Sequence, residues 1–263
     1  MRKNNETVLI TGASSGFGLE FVKLFSQDGY NLILVARHQN ELERIAEAIR
    51  IKHPECFITV IAKDLSQPGS AEALYAEIKE KDLEVDVLIN NAGFGTHGLF
   101  VATELEKEQK MMHLNILTLV ELTKLCLKDM VRRNKGKILQ LASTVSFMPV
   151  PKMAVYAASK AFVLSFTEAL QEELKNTEVT MTALCPGAGD TEFFERANAE
   201  DTHIVQDTGL SDPAKVAKDG YDALMKGDKR IVSGTKNKIQ AFMSNFVPDS
   251  LLAKGMAGMM DEK

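Results

Sequence analysis

The sequence contains little cysteine: three residues in 263, namely Cys56, Cys126 and Cys185. An odd number of widely separated cysteines without a CxxC pair does not predict a disulfide framework, and it lacks the spacing of metal ligands. We therefore expect free thiols in a reducing compartment and no metal site.

The sequence also lacks long runs of apolar or basic residues. No segment reaches the roughly 18 apolar residues of a membrane-spanning helix, and MRKNNETVLITGASSG passes from polar residues straight into a strand-like pattern, unlike a signal peptide. The net charge is −5, and no basic run is long enough to follow a phosphate backbone. These absences predict a cytoplasmic protein with no transmembrane segment and no nucleic-acid partner.

The composition is otherwise that of an ordinary globular protein, because 45% hydrophobic and 25% charged residues suffice for a core and a soluble surface. Short β-rich runs alternate with longer helical patterns, and no repeat or linker interrupts them. The β-rich runs are hydrophobic throughout, which is typical of strands that helices cover on both faces. The predicted strands are 7–11, 31–37, 57–62, 85–91, 136–143, 179–186 and 229–234.

This alternation predicts a single α/β domain over residues 1–263, a Rossmann-type doubly wound fold with a mostly parallel seven-stranded sheet and helices on both faces. One helical pattern is unusually long, from about Glu104 to Arg133. Residues 187–210 lack periodicity and are interpreted as a substrate loop, since long irregular connections are often functional. The Met-rich C-terminal extension, about 235–263, either packs on its own domain or covers the substrate pocket, a neighbouring subunit or a membrane surface.

A glycine-rich segment, TGASSGFG at 11–18, connects the first strand to the first helix. Gly12, Gly16 and Gly18 allow a tight turn and a close backbone approach, and the helix directs its free N–H groups at an anion. Glycines also simply make turns, but this placement favours a pyrophosphate. The spacing is GxxxGxG rather than GxGxxG.

The end of the second strand indicates which dinucleotide is bound. An acidic residue at this place suits the ribose 2′-hydroxyl of NAD, whereas Arg suits a 2′-phosphate. The sequence has Ala36 followed by Arg37, so a guanidinium replaces the carboxylate and favours NADP(H). An exposed Arg without any ligand is the alternative.

Several motifs in one order resemble the short-chain dehydrogenases/reductases. They are TGASSGFG, Asp64 in AKDLS, NNAG at 90–93, Asn115 in HLNIL, Ser143, YAASK at 156–160 and PGAGDT at 186–191. The likeness covers the chain from Thr7 to about Ser233. It implies an NADP(H)- or NAD(H)-dependent oxidoreductase, and with Arg37 we expect NADP(H).

The resemblance also implies which residues bind the cofactor. Gly189 departs from the family, which usually has a β-branched residue there, and Ser15 departs from the base found in many NADP(H)-preferring members. The expected cofactor-binding residues are Gly12, Ser14, Ser15, Gly16, Phe17, Gly18, Arg37, Asp64, Leu65, Asn90, Ala92, Gly93, Tyr156, Lys160, Pro186, Gly187, Gly189 and Thr191.

The implied catalytic residues are Asn115, Ser143, Tyr156 and Lys160. Reduction of a carbonyl leaves an oxygen that needs a proton, which the Tyr156 phenol would supply, with Ser143 donating to the same oxygen. Lys160, one helical turn away, is expected to lower the phenol pKa from its usual value of about 10. By resemblance Lys160 also binds the nicotinamide ribose, and Asn115 holds a water that connects Lys160 to solvent.

The substrate is expected to be a hydrophobic ketone, aldehyde or alcohol. Three other functions stay open: a non-catalytic dinucleotide sensor, a 3-ketoacyl reductase, and a lyase or epimerase with tightly held NAD. The resemblance further implies a homodimer or homotetramer that pairs helices 104–133 and 154–176. The apolar residues expected near the substrate are Phe94, Val145, Phe147, Met148, Val150, Phe193 and Phe194.

Overall fold

A seven-stranded parallel sheet forms the centre of the molecule, in a computed structural model that describes residues 5–244 and 246–261. Its strand order is β3-β2-β1-β4-β5-β6-β7, and every neighbouring pair is parallel. The predicted α/β fold is therefore confirmed. The strands are β1 Thr7–Thr11, β2 Asn31–Ala36, β3 Ile58–Ala62, β4 Val87–Asn90, β5 Gly136–Leu141, β6 Val179–Cys185 and β7 Arg230–Val232.

Helices cover both faces of this sheet. They are α1 Gly16–Gln27, α2 Gln39–Lys52, α3 Ser70–Glu80, α4 Leu105–Met112, α5 Leu119–Arg133, α6 Ala154–Glu173, α7 Phe193–Ala197, α8 His203–Thr208, α9 Pro213–Lys226, α10 Thr235–Met243 and α11 Asp249–Met259. Helices α1, α2 and α9 supply buried residues to the core on one face, α3 and α5 supply them to the core on the other face, and α6 supplies them to a cluster beside that second core.

The strands are hydrophobic throughout because successive residues enter opposite cores. In β1, Val8 and Ile10 pack with α1 and α9, while Leu9 between them packs with α3 and α5. The side chains of a strand alternate between its two faces, so a sheet covered on both sides needs apolar residues at every position.

The long helix predicted over 104–133 is not one regular helix. A π-helical segment, His113–Thr118, separates α4 from α5. The apolar periodicity alone does not reveal such a segment. The segment contains the buried residues Asn115 and Thr118, and π-helical turns are frequent at functional sites.

The two segments with poor periodicity are also more regular than expected. The loop 187–210 contains the short helices α7 and α8, and the C-terminal extension forms α10 and α11. Over the described residues, no helix combines the length and the apolar character that crossing a membrane requires.

Candidate active site

A cleft of about 530 Å³ lies beyond the carboxyl ends of the strands. The strand order reverses between β1 and β4, and ligands of open α/β sheets bind at such a switch point. Most of the predicted site residues meet there. Those that line the cleft are Gly12, Ser14, Ser15, Gly16, Phe17, Arg37, Asp64, Leu65, Ala92, Gly93, Ser143, Tyr156, Lys160, Pro186, Gly187, Gly189 and Thr191.

The glycine-rich loop fits a pyrophosphate. Gly12 and Gly16 have φ angles of +66° and +53°, which favour glycine, and α1 begins at Gly16 with its free N–H groups at the cleft. Gly18 does not line the cleft, but a Cβ atom there would lie 2.0 Å from Gly12 O. Glycine at 18 therefore lets the helix pack directly against the loop.

Arg37 is exposed at the mouth of the cleft, where a second phosphate would have room. Burial would raise the pKa of the nearby Asp64 carboxyl, but hydrogen bonds from Gln67 and Ser66 and the charge of Arg37 hold that pKa below its usual range. The Asp64 carboxylate accepts from Ser66 N at 3.0 Å and from Gln67 Nε2 at 3.0 Å, so it stabilises the turn after β3. Lys63 also lines the cleft here and was not predicted.

The side chain of Asn90 lies in the core rather than along the cleft. Its Nδ2 donates to Thr123 Oγ1 at 2.9 Å and to Gln140 Oε1 at 3.0 Å. The next residue, Asn91, lines the cleft, and its Nδ2 donates to Thr11 O at 2.9 Å and Gly12 O at 3.2 Å. The NNAG motif therefore ties β4 to the glycine-rich loop through its second asparagine.

Ser143, Tyr156 and Lys160 come together at the deep end of the cleft. Ser143 follows β5 and caps a 3₁₀ turn, Thr144–Phe147, while Tyr156 and Lys160 lie one turn apart on α6. A side-chain hydrogen bond connects Ser143 to Tyr156. Lys160 Nζ donates to Leu141 O at 2.7 Å and lies 5.8 Å from the centre of the Tyr156 ring.

The pKa of Tyr156 shifts in the direction opposite to the one expected. Burial raises the pKa of the phenol, and the hydrogen bond with Ser143 only partly opposes that change. Burial also lowers the pKa of Lys160 to about 8. Removing water from both groups disfavours their charged forms, and neither Ser143 beside the phenol nor Cys185 near the ammonium offsets that effect.

Asn115 lies behind the cleft, in the π-helical segment. Its Nδ2 donates to Phe94 O at 2.9 Å and to Ser159 Oγ at 3.2 Å, and Phe94 N donates to its Oδ1 at 3.2 Å. A Cβ atom at Gly93 would lie 3.0 Å from Asn115 Oδ1 and 3.6 Å from Lys160 Nζ. Glycine at 93 thus keeps the space between these two polar groups free of side chain.

Phe17 accounts for the unusual Gly189. A Cβ atom at residue 189 would lie 2.6 Å from Phe17 Cζ, so a β-branched side chain there would require the phenyl ring to move. The backbone here is paired: Ser211 N donates to Ala188 O at 2.8 Å and Asp190 N donates to Ser211 O at 2.9 Å.

The far end of the cleft is apolar. Phe94, Val145, Phe193 and Phe194 line it as predicted, and the rings of Phe193 and Tyr156 are 5.0 Å apart. Three of the expected residues, Phe147, Met148 and Val150, do not line the cleft but pack in the cluster behind it. Three residues without a sequence signal line it instead: Met153, Ile204 and Met260.

Met260 reaches the cleft because the end of the chain is held across it. A ring nitrogen of His97 is hydrogen-bonded to Met260 O at 2.9 Å, and His203 N donates to Asp261 O at 3.1 Å. Lys152 Nζ forms an ion pair with Asp261 at 2.8 Å. Four arrangements were expected for the C-terminal extension, and its last part adopts one of them, because it covers the substrate pocket.

Comparison with known proteins explains why these residues occur together. The model of the short chain dehydrogenase family matches residues 6–202. This chain belongs to the short-chain dehydrogenases/reductases. Enzymes of this family are oxidoreductases that bind a nicotinamide dinucleotide, and the cleft has the glycine-rich loop and the volume for one.

Individual relatives differ in the substrate that they act on. Human 17-beta-hydroxysteroid dehydrogenase type 3 is 34% identical over 79% of this chain and 66% of its own length. The ketoacyl reductase HetN of Nostoc is 30% identical over 92% of this chain and 79% of its own. A short-chain dehydrogenase of Sphingobium yanoikuyae in complex with NADPH has a TM-score of 0.80 and 30% identity, covering 86% of this chain and 87% of its own.

Proposed function

We propose that this chain is an NADP(H)-dependent reductase of hydrophobic ketones or aldehydes, which also oxidises the corresponding alcohols. The observation that carries the proposal is the meeting of Ser143, Tyr156 and Lys160 at the deep end of one cleft with the glycine-rich loop. A hydroxyl pair and a buried lysine beside a dinucleotide site are arranged for proton transfer at a carbonyl oxygen.

The proposed preference for NADP(H) rests on Arg37. It is exposed at the cleft beyond β2, where an acidic residue would suit NAD, and its planar guanidinium can pair with a 2′-phosphate. Lys63 adds a second positive charge at the same end, although its ammonium pairs with Glu77 at 3.3 Å. The NADPH-bound relative from Sphingobium is consistent with this choice.

In the proposed mechanism the nicotinamide, when bound, supplies a hydride to the carbonyl carbon or accepts one from the alcohol. The chain's own residues handle the oxygen. Ser143 and Tyr156 donate hydrogen bonds to it, and Tyr156 transfers its proton as negative charge develops. The raised pKa of Tyr156 keeps the phenol protonated, which suits the reduction. Lys160 would hold the ribose and, after Tyr156 has given its proton to the substrate oxygen, return a proton to Tyr156 from the side of Asn115.

The apolar end of the cleft supports a hydrophobic substrate. Phe193, Ile204 and Met260 provide an aromatic ring, a branched side chain and a flexible thioether around the place where the substrate would lie. The steroid-dehydrogenase relative is consistent with a bulky apolar carbonyl. Glu192 and Arg196 also line the cleft, so a polar group on the substrate is compatible with this end.

The alternative of a 3-ketoacyl reductase has support from the HetN relative but no special support from the site. The family resemblance implies that ketoreductases acting on acyl carrier protein use an Arg on the helix that carries YAASK. Gln171 stands there instead and points inward, donating to Met181 O at 3.0 Å and Lys229 O at 2.7 Å. A non-catalytic sensor is disfavoured because a sensor needs neither the phenol nor the buried lysine.

The decisive experiment follows NADPH consumption by the purified protein with aldehydes, diketones, ketosteroids and ketoacyl thioesters. We expect turnover with apolar carbonyls that falls about 10²- to 10⁴-fold in Tyr156→Phe, while NADPH binding, measured by fluorescence, is retained. Phe193→Tyr is the control variant: it also changes the pocket by one hydroxyl group, but at a residue that is not proposed to transfer a proton. NADPH binding without turnover on any of these classes would favour the sensor, and faster turnover with NADH would overturn the cofactor proposal alone.

A further inference from the structure

Helix α10 presents a row of large apolar side chains to solvent. Ile239, Phe242 and Met243 follow the i, i+3, i+4 spacing of one helical face, and Phe246 lies in the turn that follows the helix. Their side chains are between 49% and 68% exposed, and the rings of Phe242 and Phe246 are 5.1 Å apart. We call these four residues the α10 stripe.

The fold itself holds the stripe outward. Ala241 and Ser244, on the opposite side of the helix, are buried. Asn237 Nδ2 donates to Ser233 O at 2.7 Å, and Gln240 Nε2 donates to Met148 Sδ at 3.7 Å. Because these contacts anchor the inner face to the end of β7 and to the 3₁₀ turn, the helix cannot rotate to bury the stripe.

Lysines accompany the stripe. At about 100° per residue, Lys236 and Lys238 project to opposite flanks of the apolar face, and Lys254 follows on α11. Within residues 5–244 and 246–261, none of these three ammonium groups has an ion pair. Segment 235–254 contains only one acidic residue, Asp249, although the whole chain has a net charge of −5. Basic and apolar residues thus occur together along this segment of the chain.

We propose that the α10 stripe docks on the surface of a lipid bilayer that contains anionic headgroups. Side chains such as Phe and Ile enter the boundary between headgroups and acyl chains, and lysines on both flanks reach the headgroup phosphates. This inference does not depend on the proposed reductase activity.

Charge also distinguishes a bilayer from a second copy of the chain. A two-fold interface formed by this face would bring the same patch of both copies together, with the lysines of each copy facing like charges. Like charges that meet in a desolvated interface are unfavourable, whereas an anionic bilayer neutralises them.

The test is flotation of the full-length protein with vesicles of phosphatidylcholine alone or mixed with phosphatidylglycerol. We expect binding to the anionic vesicles that weakens as ionic strength rises, and little binding to phosphatidylcholine alone. Phe242→Ser/Phe246→Ser should lower the partition coefficient at least about tenfold. Lys236→Gln/Lys238→Gln should lower it about tenfold and remove most of its salt dependence.

Two control variants match these changes elsewhere on the surface. Phe57→Ser removes a phenyl group that is as exposed as that of Phe246, and Lys215→Gln/Lys226→Gln removes two exposed charges on α9. Both should bind vesicles like the wild type, and circular dichroism with thermal unfolding checks the folding of all variants. Absence of binding to anionic vesicles at low ionic strength overturns the proposal. So does a wild-type dimer that Phe242→Ser/Phe246→Ser separates, since the stripe would then join two copies.

Discussion

Lys160 holds an ammonium group where burial opposes its charge. Its pKa falls from 10.5 to about 8, because the side chain is only 4% exposed and its ammonium group donates to a neutral backbone oxygen, Leu141 O. Below about pH 8 the folded protein carries this unfavourable charge, and removing it would stabilise the fold. Between about pH 8 and 10.5 the folded form has lost the proton that the unfolded chain still binds, so stability rises with pH.

We predict that Lys160→Met raises the free energy of unfolding at neutral pH by about 2 kcal/mol. The lowered pKa corresponds to a destabilisation of about 3 kcal/mol by the buried charge, which the substitution removes. The substitution also removes the hydrogen bond to Leu141 O, which stabilises the fold by about 1 kcal/mol. The advantage over the wild type should shrink as the pH approaches about 10.5. Urea unfolding of both proteins at neutral and alkaline pH measures this. Lys215→Met, at an exposed site, is the control, and a difference independent of pH would contradict the prediction.

The single residue Arg37 allows a prediction about the choice between NADPH and NADH. Loss of a charge-assisted hydrogen bond to a phosphate weakens binding by about 1.5–3 kcal/mol. Arg37→Ala should therefore raise the KM for NADPH about 10- to 100-fold and leave the KM for NADH nearly unchanged. Steady-state kinetics with both dinucleotides, and Lys63→Ala as a comparison, provide the measurement. Equal changes for both cofactors would show that Arg37 does not contact the 2′-phosphate.

Helix α11 contributes to the substrate end of the cleft, which the sequence pattern alone did not predict. Its last turn brings Met260 to the apolar end of the cleft, where the ion pair between Lys152 and Asp261 and the His97 hydrogen bond hold it. Met260 lies beyond residue 202, where the match to the family model ends.

We predict that Met260→Ala changes the ranking of substrates without affecting the cofactor. A shorter side chain enlarges the pocket, and a change of one or two methylene groups in an apolar pocket corresponds to about 1–3 kcal/mol. The kcat/KM ratio of a bulky to a small apolar ketone should rise about tenfold, while the KM for NADPH stays constant. Met243→Ala, at an exposed position outside the cleft, should change neither value. An unchanged substrate ratio in Met260→Ala would mean that the substrate does not reach α11.

The π-helical segment shows why element boundaries matter for function. It places Asn115 so that its amide pairs with both backbone groups of Phe94 and with Ser159, behind Lys160. A regular α-helix over 104–133 would direct this residue differently, because a wide turn changes the rotation of everything after it.

For the whole molecule, assembly stays a prediction. The faces of α5 and α6 carry exposed apolar groups, among them Phe162, whose ring stacks on that of Phe166 at 5.8 Å. Leu117 and Val131 are exposed on the neighbouring π-helical segment and α5. This distribution is consistent with the homodimer or homotetramer that the family resemblance implies.

We predict that Phe162→Glu weakens self-association at least about tenfold, since a charge buried in an apolar interface is unfavourable by several kcal/mol. Sedimentation equilibrium of the wild type and the variant measures the change. Phe57→Glu, at another exposed phenylalanine, should have no effect. A wild type that is monomeric at all concentrations would contradict the predicted assembly.

The sequence by itself determined the order of strands and helices and most of the cofactor cleft. Hydrophobic runs predict a sheet covered on both faces because every residue of such a strand meets a core, as Val8 and Leu9 do. The glycine-rich loop, Arg37 and the pair Tyr156 and Lys160 could be found because each depends on neighbours within a few residues, and local spacing preserves that information.

Only the tertiary structure decided what depends on contacts between distant parts of the chain. That Asn91 rather than Asn90 lines the cleft, that the Phe17 ring fills the space beside Gly189, and that Met260 lines the cleft are results of packing across the fold. The direction of the Tyr156 pKa belongs here too, because burial is a property of the surroundings and not of the YAASK motif. Sequence spacing places the catalytic groups, whereas exclusion of water by the folded chain sets their protonation.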